Sequence, residues 1–347
     1  RKRFTFSTAD TADYSIEIDP RELRPYTLKL LRELGFNRTS FGVQDLNEKV
    51  QQAVNRIQPE SMIRQVMVEA RELGFRSINI DLIYGLPHQS QQTFAETLDV
   101  IIDMSPDRLS VFNYAHLPER FKPQRRIKEE DLPTPEEKLK ILGNCITTLT
   151  EVGYHYVGMD HFAKADDELS RAQGAKELHR NFQGYTTHGN CDLIGFGVSS
   201  ISQISDCYLQ NSPDIKVYED AIENNRFPVV KLIETDKDDL IRRQVIMELL
   251  CHDQMIFSEL DQAFAINSQE YFAEELSKLT PMVEDALLDI SDEGIHITEK
   301  GRLLVRNACM VFDTYLNANI IQSYSPSADA SDDARKQANR PRFSKAI

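Results

Sequence analysis

Residues 77–87 read SINIDLIYGLP, the clearest strand pattern in the sequence. The apolar residues at positions 78, 80 and 82 alternate with Asn79 and Asp81, and successive side chains of a strand point to opposite faces. In a barrel of parallel strands, one face meets the surrounding helices and the other meets the interior. The pattern therefore predicts a strand over Ser77–Ile83 whose polar residues face the interior of a barrel.

Strand-like and helix-like segments alternate on both sides of this stretch, from residue 14 to about residue 205. Further strands are predicted over Tyr14–Ile18, Arg38–Val43, Leu109–Asn113, His155–Met159 and Asp192–Val198. Helices are predicted over Pro25–Leu34, Glu48–Arg56, Glu60–Leu73, Gln91–Met104 and from Thr134 onward. Because such alternation needs a helical crossover between strands, the fold class is predicted to be α/β with a parallel sheet.

Polar residues stand at the carboxyl ends of several of these strands. Glu17 and Asp81 are assigned to the interior face, Gln44 follows the Arg38–Val43 strand, and Asn113 ends another strand. Polar groups at the carboxyl ends of barrel strands are typical of an active site. Helix or turn capping is the alternative role for each residue taken singly.

Two basic features are candidates for anion binding. Arg56 follows Gln44 closely, and its guanidinium can grip a ligand carboxylate or form a surface salt bridge. Residues 120–128, RFKPQRRIK, form the main basic cluster and follow a strand end. This cluster either binds a polyanionic substrate or is an exposed, hydrated segment of basic residues.

No catalytic residue is assigned from the sequence. The central part of the chain contains several histidines and one tyrosine that are predicted to lie in loops, where a structural role is the more common one. They are His116, His161, His179, His188 and Tyr185.

After about residue 214 the pattern becomes mainly helical. Helices are predicted over Asp236–Leu250, Ser268–Leu279 and Gly301–Tyr315, with two short strands at 287–291 and 294–298. This order is typical of a winged-helix module, but a net charge of −15 disfavours nucleic acid as a partner. The predicted organisation is a barrel over 1–213, a helical, winged-helix-like domain over 214–320 and a disordered tail over 321–347.

The five cysteines contain no CxxC or CxxxCxxC spacing, so no metal site is predicted in these 347 residues. Their odd number and wide spacing are typical of reduced thiols in a cytoplasmic protein. No apolar run approaches the length of a membrane span, and no membrane partner is expected.

Several runs resemble the oxygen-independent coproporphyrinogen III oxidases, a family of radical S-adenosylmethionine (SAM) enzymes. The resemblance extends from the start to about Tyr315. It is carried by residues 15–20 (SIEIDP), 35–38 (GFNR), 42–45 (GVQD), 79–87 (NIDLIYGLP), 110–116 (SVFNYAH), 158–163 (GMDHFA), 179–187 (HRNFQGYTT) and 301–307 (GRLLVRN). The runs at 158–163 and 179–187 resemble the oxidases and not the related radical haem chaperones.

The resemblance implies oxidative decarboxylation of two propionates of coproporphyrinogen III, giving protoporphyrinogen IX. It implies two bound SAM molecules and a 4Fe–4S cluster in the complete protein, together with an electron donor. By match, Glu17 and Ile201 contact the cluster-bound SAM. The second SAM is matched to Gln44, Arg56, Asp81 and Ala115. The family fold is a partial, three-quarter TIM-like radical-SAM barrel.

The chain departs from the family pattern at its beginning. The family's CxxxCxxC and Gly-Gly-Thr-Pro runs do not occur, so the barrel is expected to lack its first two strands, and this chain alone is expected to bind no cluster and to be inactive. A monomer is expected. The alternative function is a radical-SAM-like haem-binding chaperone without oxidase turnover.

Overall fold

The computed structural model describes residues 5–7, 12–189 and 191–316. The chain divides into two compact units, with the division between Arg171 and Ala172. The predicted boundary after residue 213 falls inside the second unit and stays a prediction. The predicted tail over 321–347 lies outside the described residues.

The first unit is built on one six-stranded sheet. Its strands are β1 (Ser15–Ile18), β2 (Arg38–Gln44), β3 (Ser77–Tyr84), β4 (Arg108–Asn113), β5 (Tyr154–Gly158) and β6 (His161–Lys164). Their order in the sheet is β1-β2-β3-β4-β6-β5. The first four strands are parallel, as predicted.

Helices connect these strands. They are α1 (Thr27–Leu34), α2 (Glu48–Ala53), α3 (Glu60–Glu72), α4 (Gln91–Met104), α5 (Pro135–Glu151) and α6 (Glu168–Gly174). Local sequence fixes several ends. Ser90 and Thr93 form a capping box at the start of α4, and Thr134 caps α5 by accepting a hydrogen bond from the Glu137 amide.

Burial follows the alternation in β3. Ile78, Ile80 and Leu82 are fully buried, whereas Asn79 and Asp81 are half-buried on the other face. Full burial of an aliphatic side chain contributes about 1.5–3 kcal/mol, so three such residues fix which face of the strand meets the helices. The predicted polar interior face is confirmed for this strand.

Two predictions for this region were wrong, and one strand was not predicted. The unpredicted strand, β6, is antiparallel to both of its neighbours, because a tight turn joins it to β5 and reverses the chain without a crossover helix. No strand forms over Asp192–Val198, where the described residues contribute only an isolated bridge from Leu193 to Gln203. The helix predicted to reach Arg56 ends at Ala53.

The second unit contains three small sheets and most of the remaining helices. Its strands are β7 (His179–Asn181), β8 (Gly184–Thr186), β9 (Ile201–Ile204), β10 (Cys207–Asn211), β11 (Val229–Glu234), β12 (Gln254–Ile256), β13 (Leu288–Ile290) and β14 (Gly294–Ile297). Its helices are α7 (Ile215–Glu223), α8 (Lys237–His252), α9 (Phe257–Phe264), α10 (Ser268–Tyr271), α11 (Ala273–Lys278), α12 (Thr280–Glu284) and α13 (Val305–Phe312).

The carboxyl-terminal part of this unit has the predicted helical and winged-helix-like order. β14 pairs with both β12 and β13 to form a small antiparallel sheet. The fully buried rings of Phe272 and Phe312 pack edge to face, with their centroids 5.3 Å apart. The long helix predicted over Ser268–Leu279 is instead divided into α10 and α11 at Phe272.

Among the described residues, no helix combines the length and the apolar character needed to span a bilayer.

Candidate functional site

The polar face of the first unit's sheet is ordered in two rows, because neighbouring strands pair in register. Residues paired across adjacent strands lie side by side on one face of the sheet. The first row contains Glu17, Ser40 and Asn79. The second row contains Gly42, Asp81, Ser110 and His161.

Asp81 is the centre of a hydrogen-bond network on this face. Ser40 Oγ donates to Asp81 Oδ2 at 2.8 Å, and Asn79 Nδ2 donates to Asp81 Oδ1 at 2.7 Å. Asn79 Nδ2 also lies 3.2 Å from Ser110 Oγ, which extends the network to β4. Burial raises the pKa of Asp81, although the hydrogen bonds that it accepts oppose this shift.

Glu17 adds a second carboxylate to the same face. Although Glu17 is exposed, loss of hydration and then repulsion by Asp81 raise the pKa of its carboxyl group. Two carboxylates that disfavour each other's charge are stabilised by a cation or by hydroxyl donors placed between them. The pair is therefore suited to an ammonium group, a sulfonium group or a ribose diol.

Arg56 and Gln44 meet above Gly42. Arg56 Nη2 donates to the Gly42 carbonyl oxygen at 2.7 Å, and Nη1 lies 2.9 Å from Asp19 Oδ2. A β-carbon at Gly42 would lie 2.9 Å from Gln44 Nε2 and 3.1 Å from Arg56 Nη2. Only a glycine leaves room for both side chains, so this position forms a small cradle.

The backbone directs Gln44 towards this cradle. The register between β2 and β3 shifts between Gly42 and Gln44, and Gln44 has a φ of 69°, in the left-handed region. Irregularities of this kind at strand ends redirect a side chain. Gln44 is thus turned out of the regular alternation of β2.

A buried set of amides holds the segment that carries Arg56. Gln51 Nε2 donates to the Asp45 and Gln58 carbonyl oxygens at 2.9 and 3.0 Å. Gln58 returns a hydrogen bond from its backbone N–H to Gln51 Oε1 at 2.9 Å, and its side-chain amide donates to the Val43 carbonyl. These bonds connect the end of β2 to the loop after α2, which places Arg56 over Gly42.

The residues of the cradle fit SAM. Gln44 Oε1 and Arg56 Nε are buried and have no hydrogen-bond partner among the described residues. Buried polar atoms without partners are uncommon in folded proteins and indicate a place where a ligand completes the bonding. SAM presents a carboxylate that suits Arg56 and an ammonium and a diol that suit the two carboxylates.

The described residues do not fit a 4Fe–4S cluster. No group of three or more His, Cys, Asp or Glu side chains in this part of the chain is close enough to hold a metal ion. Cys145, Cys251 and Cys309 are buried, and burial raises the pKa of each thiol to about 12, which disfavours the thiolate that a cluster needs.

The remaining sequence candidates are placed as follows. Ala115 lies just after β4, and its carbonyl oxygen accepts a hydrogen bond from Gln124 Nε2 at 3.0 Å. Ile201 begins β9 in the second unit. Asn113, at the end of β4, is on the side of Gly85 and Lys138 and not on the Asp81 face.

The basic segment at 120–128 forms a short turn of helix over Lys122–Arg126. Most of its side chains are exposed, and Arg120 packs over the ring of Phe121 at 5.2 Å. Gln124 joins the segment to Ala115. Both interpretations of the cluster, substrate reception and solvated charge, stay open.

Sequence reasoning missed several residues of the site. Ser40 and Ser110 bind the Asp81 network, Asp19 pairs with Arg56, and His161 begins β6 instead of lying in a loop. The alternation of side chains along a strand could have identified two of these residues. Ser40 shares its face with Gly42 in β2, and Asp19 is two residues after Glu17.

Known proteins are similar to this chain over most of its length. The model of the radical SAM superfamily matches residues 2–101, and that of the HemN C-terminal domain matches residues 235–304. An oxygen-independent coproporphyrinogen III oxidase of Pseudomonas aeruginosa is 52% identical over 316 residues, 91% of this chain and 69% of that protein. A protein of the same name from Thermostichus vulcanus is 43% identical, over 92% of this chain and 99% of its own length.

The solved structure of coproporphyrinogen III oxidase from Escherichia coli, described as a radical SAM enzyme, superimposes with a TM-score of 0.88. It is 51% identical and covers 91% of this chain and 72% of its own. The predicted partial barrel with a mostly helical carboxyl-terminal domain is confirmed, and the haem-chaperone alternative has no support from these relatives. The chain therefore belongs to the oxygen-independent coproporphyrinogen III oxidases, enzymes of the radical SAM superfamily.

Proposed function

We propose that this chain takes part in the oxygen-independent oxidative decarboxylation of coproporphyrinogen III to protoporphyrinogen IX. The family assignment supports the reaction. The observation that carries the site is the Gly42 cradle, where buried polar atoms of Gln44 and Arg56 have no partner among the described residues. Gly42 is paired with Asp81 across β2 and β3, and Asp81 in turn lies near enough to Glu17 to raise the pKa of that carboxyl group.

Gln44, Arg56, Asp81 and Ala115 are proposed to hold one SAM molecule. Arg56 binds the ligand carboxylate through the charge-assisted hydrogen bonds that a guanidinium provides. Asp81, fixed by Ser40 and Asn79, accepts from the ribose diol or the ammonium group. Gln44 can donate a hydrogen bond from Nε2 and accept one at Oε1. Ala115 contributes backbone groups beside the adenine.

Glu17 and Ile201 are proposed to contact a second, cluster-associated SAM molecule. Glu17 is the more exposed of the two carboxylates, and its raised pKa is lowered again when a cation approaches. Ile201 offers an apolar side chain to an adenine ring. When bound, SAM supplies the radical chemistry of this superfamily, while this chain's residues position the ligands and exclude water.

The partners proposed for the whole enzyme are coproporphyrinogen III and an electron donor, and the chain is proposed to act as a monomer. A cytoplasmic location is proposed as well. The free thiols among the described cysteines support it, because reduced cysteines are usual in that compartment.

A fusion protein tests the function. The chain is joined behind a segment that carries the family's CxxxCxxC pattern, loaded with iron and sulfide, and assayed anaerobically for protoporphyrin formed from coproporphyrinogen III. Conversion is expected from the fusion and is expected to fall in its Arg56→Met variant, whereas Arg64→Met, on the exposed face of α3, leaves it unchanged. A cluster-loaded fusion without conversion contradicts the proposal.

A further inference from the structure

Lys138 lies near the start of α5 and extends over Gly85, the residue that follows β3. A β-carbon at Gly85 would lie 2.8 Å from Lys138 Cε, 3.3 Å from Lys138 Nζ and 3.4 Å from Asn113 Oδ1. Asn113 is the last residue of β4. The lysine ammonium group therefore lies where the carboxyl ends of β3 and β4 meet, and ligands of α/β folds bind at this end of parallel strands.

The ammonium group of Lys138 has neither a hydrogen-bond acceptor nor a carboxylate partner among the described residues. Burial lowers the pKa of this group, and no charged neighbour contributes to the shift. Lysine has an ordinary pKa of about 10.4, and Lys138 is only half-buried, so the group stays protonated at neutral pH. Lys138 is thus a half-buried positive charge that this part of the chain does not neutralise.

The other half-buried lysine and arginine side chains described in the first unit all have an acceptor in the protein. Most of them lie within ion-pair distance of a carboxylate, and one donates to the carbonyl oxygen of Phe36. The residues paired with a carboxylate are Arg38, Arg56, Arg64, Arg108 and Lys164, and the one that donates to Phe36 is Arg32. Lys138 is therefore the exception in this unit.

The acidic residues nearest to Lys138 in the sequence interact elsewhere. One oxygen of Glu137 accepts a hydrogen bond from the Gln91 backbone N–H at 2.8 Å, and the other lies 3.7 Å from Lys140 Nζ. The exposed carboxylate of Glu136 interacts with its own backbone N–H and with Thr134. The charge of Lys138 is consequently available to a ligand.

The position of Lys138 is unfavourable for the stability of the chain. The start of a helix carries a partial positive charge, which disfavours a cation there. Partial burial adds a loss of hydration. The methylene stem alone could cover Gly85, and a methionine would cover it without either disadvantage. A local rule broken in this way is more typical of a ligand site than of a structural residue.

Lys138 also lies at the base of the main basic segment. The connection between β4 and α5 begins after Asn113 and ends just before α5, so both of its ends flank Gly85. Residues 120–128, RFKPQRRIK, belong to this connection. In a chain with a net charge of −15, a local concentration of basic residues is where an anion is attracted.

We propose that Lys138 binds a carboxylate of coproporphyrinogen III at the junction of β3, β4 and α5. The inference rests on the proposed function, since it takes this tetrapyrrole as the substrate. Two of its propionates react and the others do not, so carboxylates remain that a binding residue can hold throughout. SAM is less suited to Lys138, because the carboxylates proposed for SAM are on the Asp81 face and Asn113, beside Lys138, is on the other.

Porphyrin binding by the chain itself tests this site. The probes are coproporphyrin III and its tetramethyl ester, titrated by fluorescence in one detergent buffer. Lys138→Met keeps an unbranched stem over Gly85 but removes the charge. It is expected to weaken coproporphyrin III binding about ten- to hundredfold, the effect of losing a hydrogen bond between charged groups, and to leave ester binding unchanged.

Two further measurements separate a ligand site from a structural role. The urea midpoint of Lys138→Met is expected to stay the same or to rise, because the variant removes an unneutralised charge from the start of α5. Affinity for S-adenosylhomocysteine is expected to stay unchanged. Lys140→Met, at an exposed position on the same helix, is the matched control and is expected to change neither porphyrin affinity.

Several results would overturn the site. They are equal binding of coproporphyrin III by wild type and Lys138→Met, an equal loss of the acid and the ester, a loss of S-adenosylhomocysteine affinity, and a lower urea midpoint. A wild-type chain that binds neither porphyrin overturns it as well. If the loaded fusion protein converts coproporphyrinogen III with an unchanged KM in its Lys138→Met form, the site fails while the proposed function stands. Absence of conversion by the loaded wild-type fusion contradicts the function itself.

Discussion

Gln44 and Arg56 approach the same side of Gly42, so that a single methyl group at this position would displace both side chains. The two residues come from different parts of the chain, one at the end of β2 and one in the loop after α2. Their meeting point is defined by a residue that has no side chain, which makes the arrangement testable with a one-carbon change.

Gly42→Ala is expected to reduce affinity for S-adenosylhomocysteine about tenfold, because the new methyl group lies 2.9 Å from Gln44 Nε2 and 3.1 Å from Arg56 Nη2. Isothermal titration calorimetry measures this. Gly143→Ala in α5 is the control, since no atom lies within 4 Å of its new methyl group and alanine favours a helix by up to about 1 kcal/mol. Equal affinities in wild type and Gly42→Ala argue against the cradle.

Arg56→Lys is expected to weaken S-adenosylhomocysteine binding by about tenfold or more. Lysine keeps the charge but loses the planar pair of donors that contacts a carboxylate and the Gly42 carbonyl together. The control is Arg64→Lys, whose partners Glu60 and Asp103 are on the surface. An Arg56→Lys protein that binds like wild type shows that charge alone, and not the guanidinium geometry, matters.

Asp81→Asn is expected to raise the free energy of unfolding at pH 7 while weakening SAM binding. Burial raises the folded-state pKa of Asp81, so the folded chain binds this proton more tightly than the unfolded chain does. Stability from this residue is therefore lost as pH rises from about 4, its unfolded value, through the raised pKa. Asparagine does not ionise, so Asp81→Asn removes this loss of stability.

Urea unfolding at pH 4 and pH 7 measures the effect of Asp81→Asn. The gain in stability is expected at pH 7 and is expected to shrink at pH 4, because the raised pKa leaves a larger fraction of wild-type Asp81 protonated in the folded state there. Asp289→Asn, at an exposed position on β13, is the control and is expected to leave the free energy of unfolding unchanged. A loss of stability at pH 7 in Asp81→Asn means that the Ser40 and Asn79 hydrogen bonds outweigh the cost of burial.

Gln58→Leu is expected to destabilise the chain by about 1–3 kcal/mol and to weaken S-adenosylhomocysteine binding. Gln58 is fully buried, and its loss leaves the Val43 carbonyl oxygen without the side-chain amide that donates to it. The loop that carries Arg56 then loses one of its supports. Gln52→Leu, an exposed neighbour on α2, is the control, and a Gln58 variant with full affinity shows that Arg56 is held by other contacts.

The strand pattern and its polar face could be predicted from the sequence, because alternation reports directly on burial. In β3 the three buried aliphatic residues and the two polar ones are placed as the pattern required. The convergence of Gln44 and Arg56 was harder to derive. It depends on a register shift after Gly42 and on buried glutamine hydrogen bonds, and neither leaves a periodic signal in the sequence.

The direction of β6 could not be derived either. Strand–helix alternation predicts parallel strands only when a helix intervenes, and residues 159 and 160 are too few to form one. A short turn between two β-rich runs was the available signal for an antiparallel pair. His161 was consequently assigned to a loop, although it begins a strand beside Ser110.

Because β6 runs antiparallel to β4, the polar row of the sheet meets the amino-terminal end of β6 and not its carboxyl end. In β1 to β4 the polar residues of the sheet lie towards the last residues of each strand, but in β6 the residue in the same row is the first one, His161. Loop libraries built by the usual barrel convention, which diversifies the segment after each strand, would therefore miss this position. For β6, the two residues before the strand are the segment to diversify, and the segment after Lys164 is the one to keep.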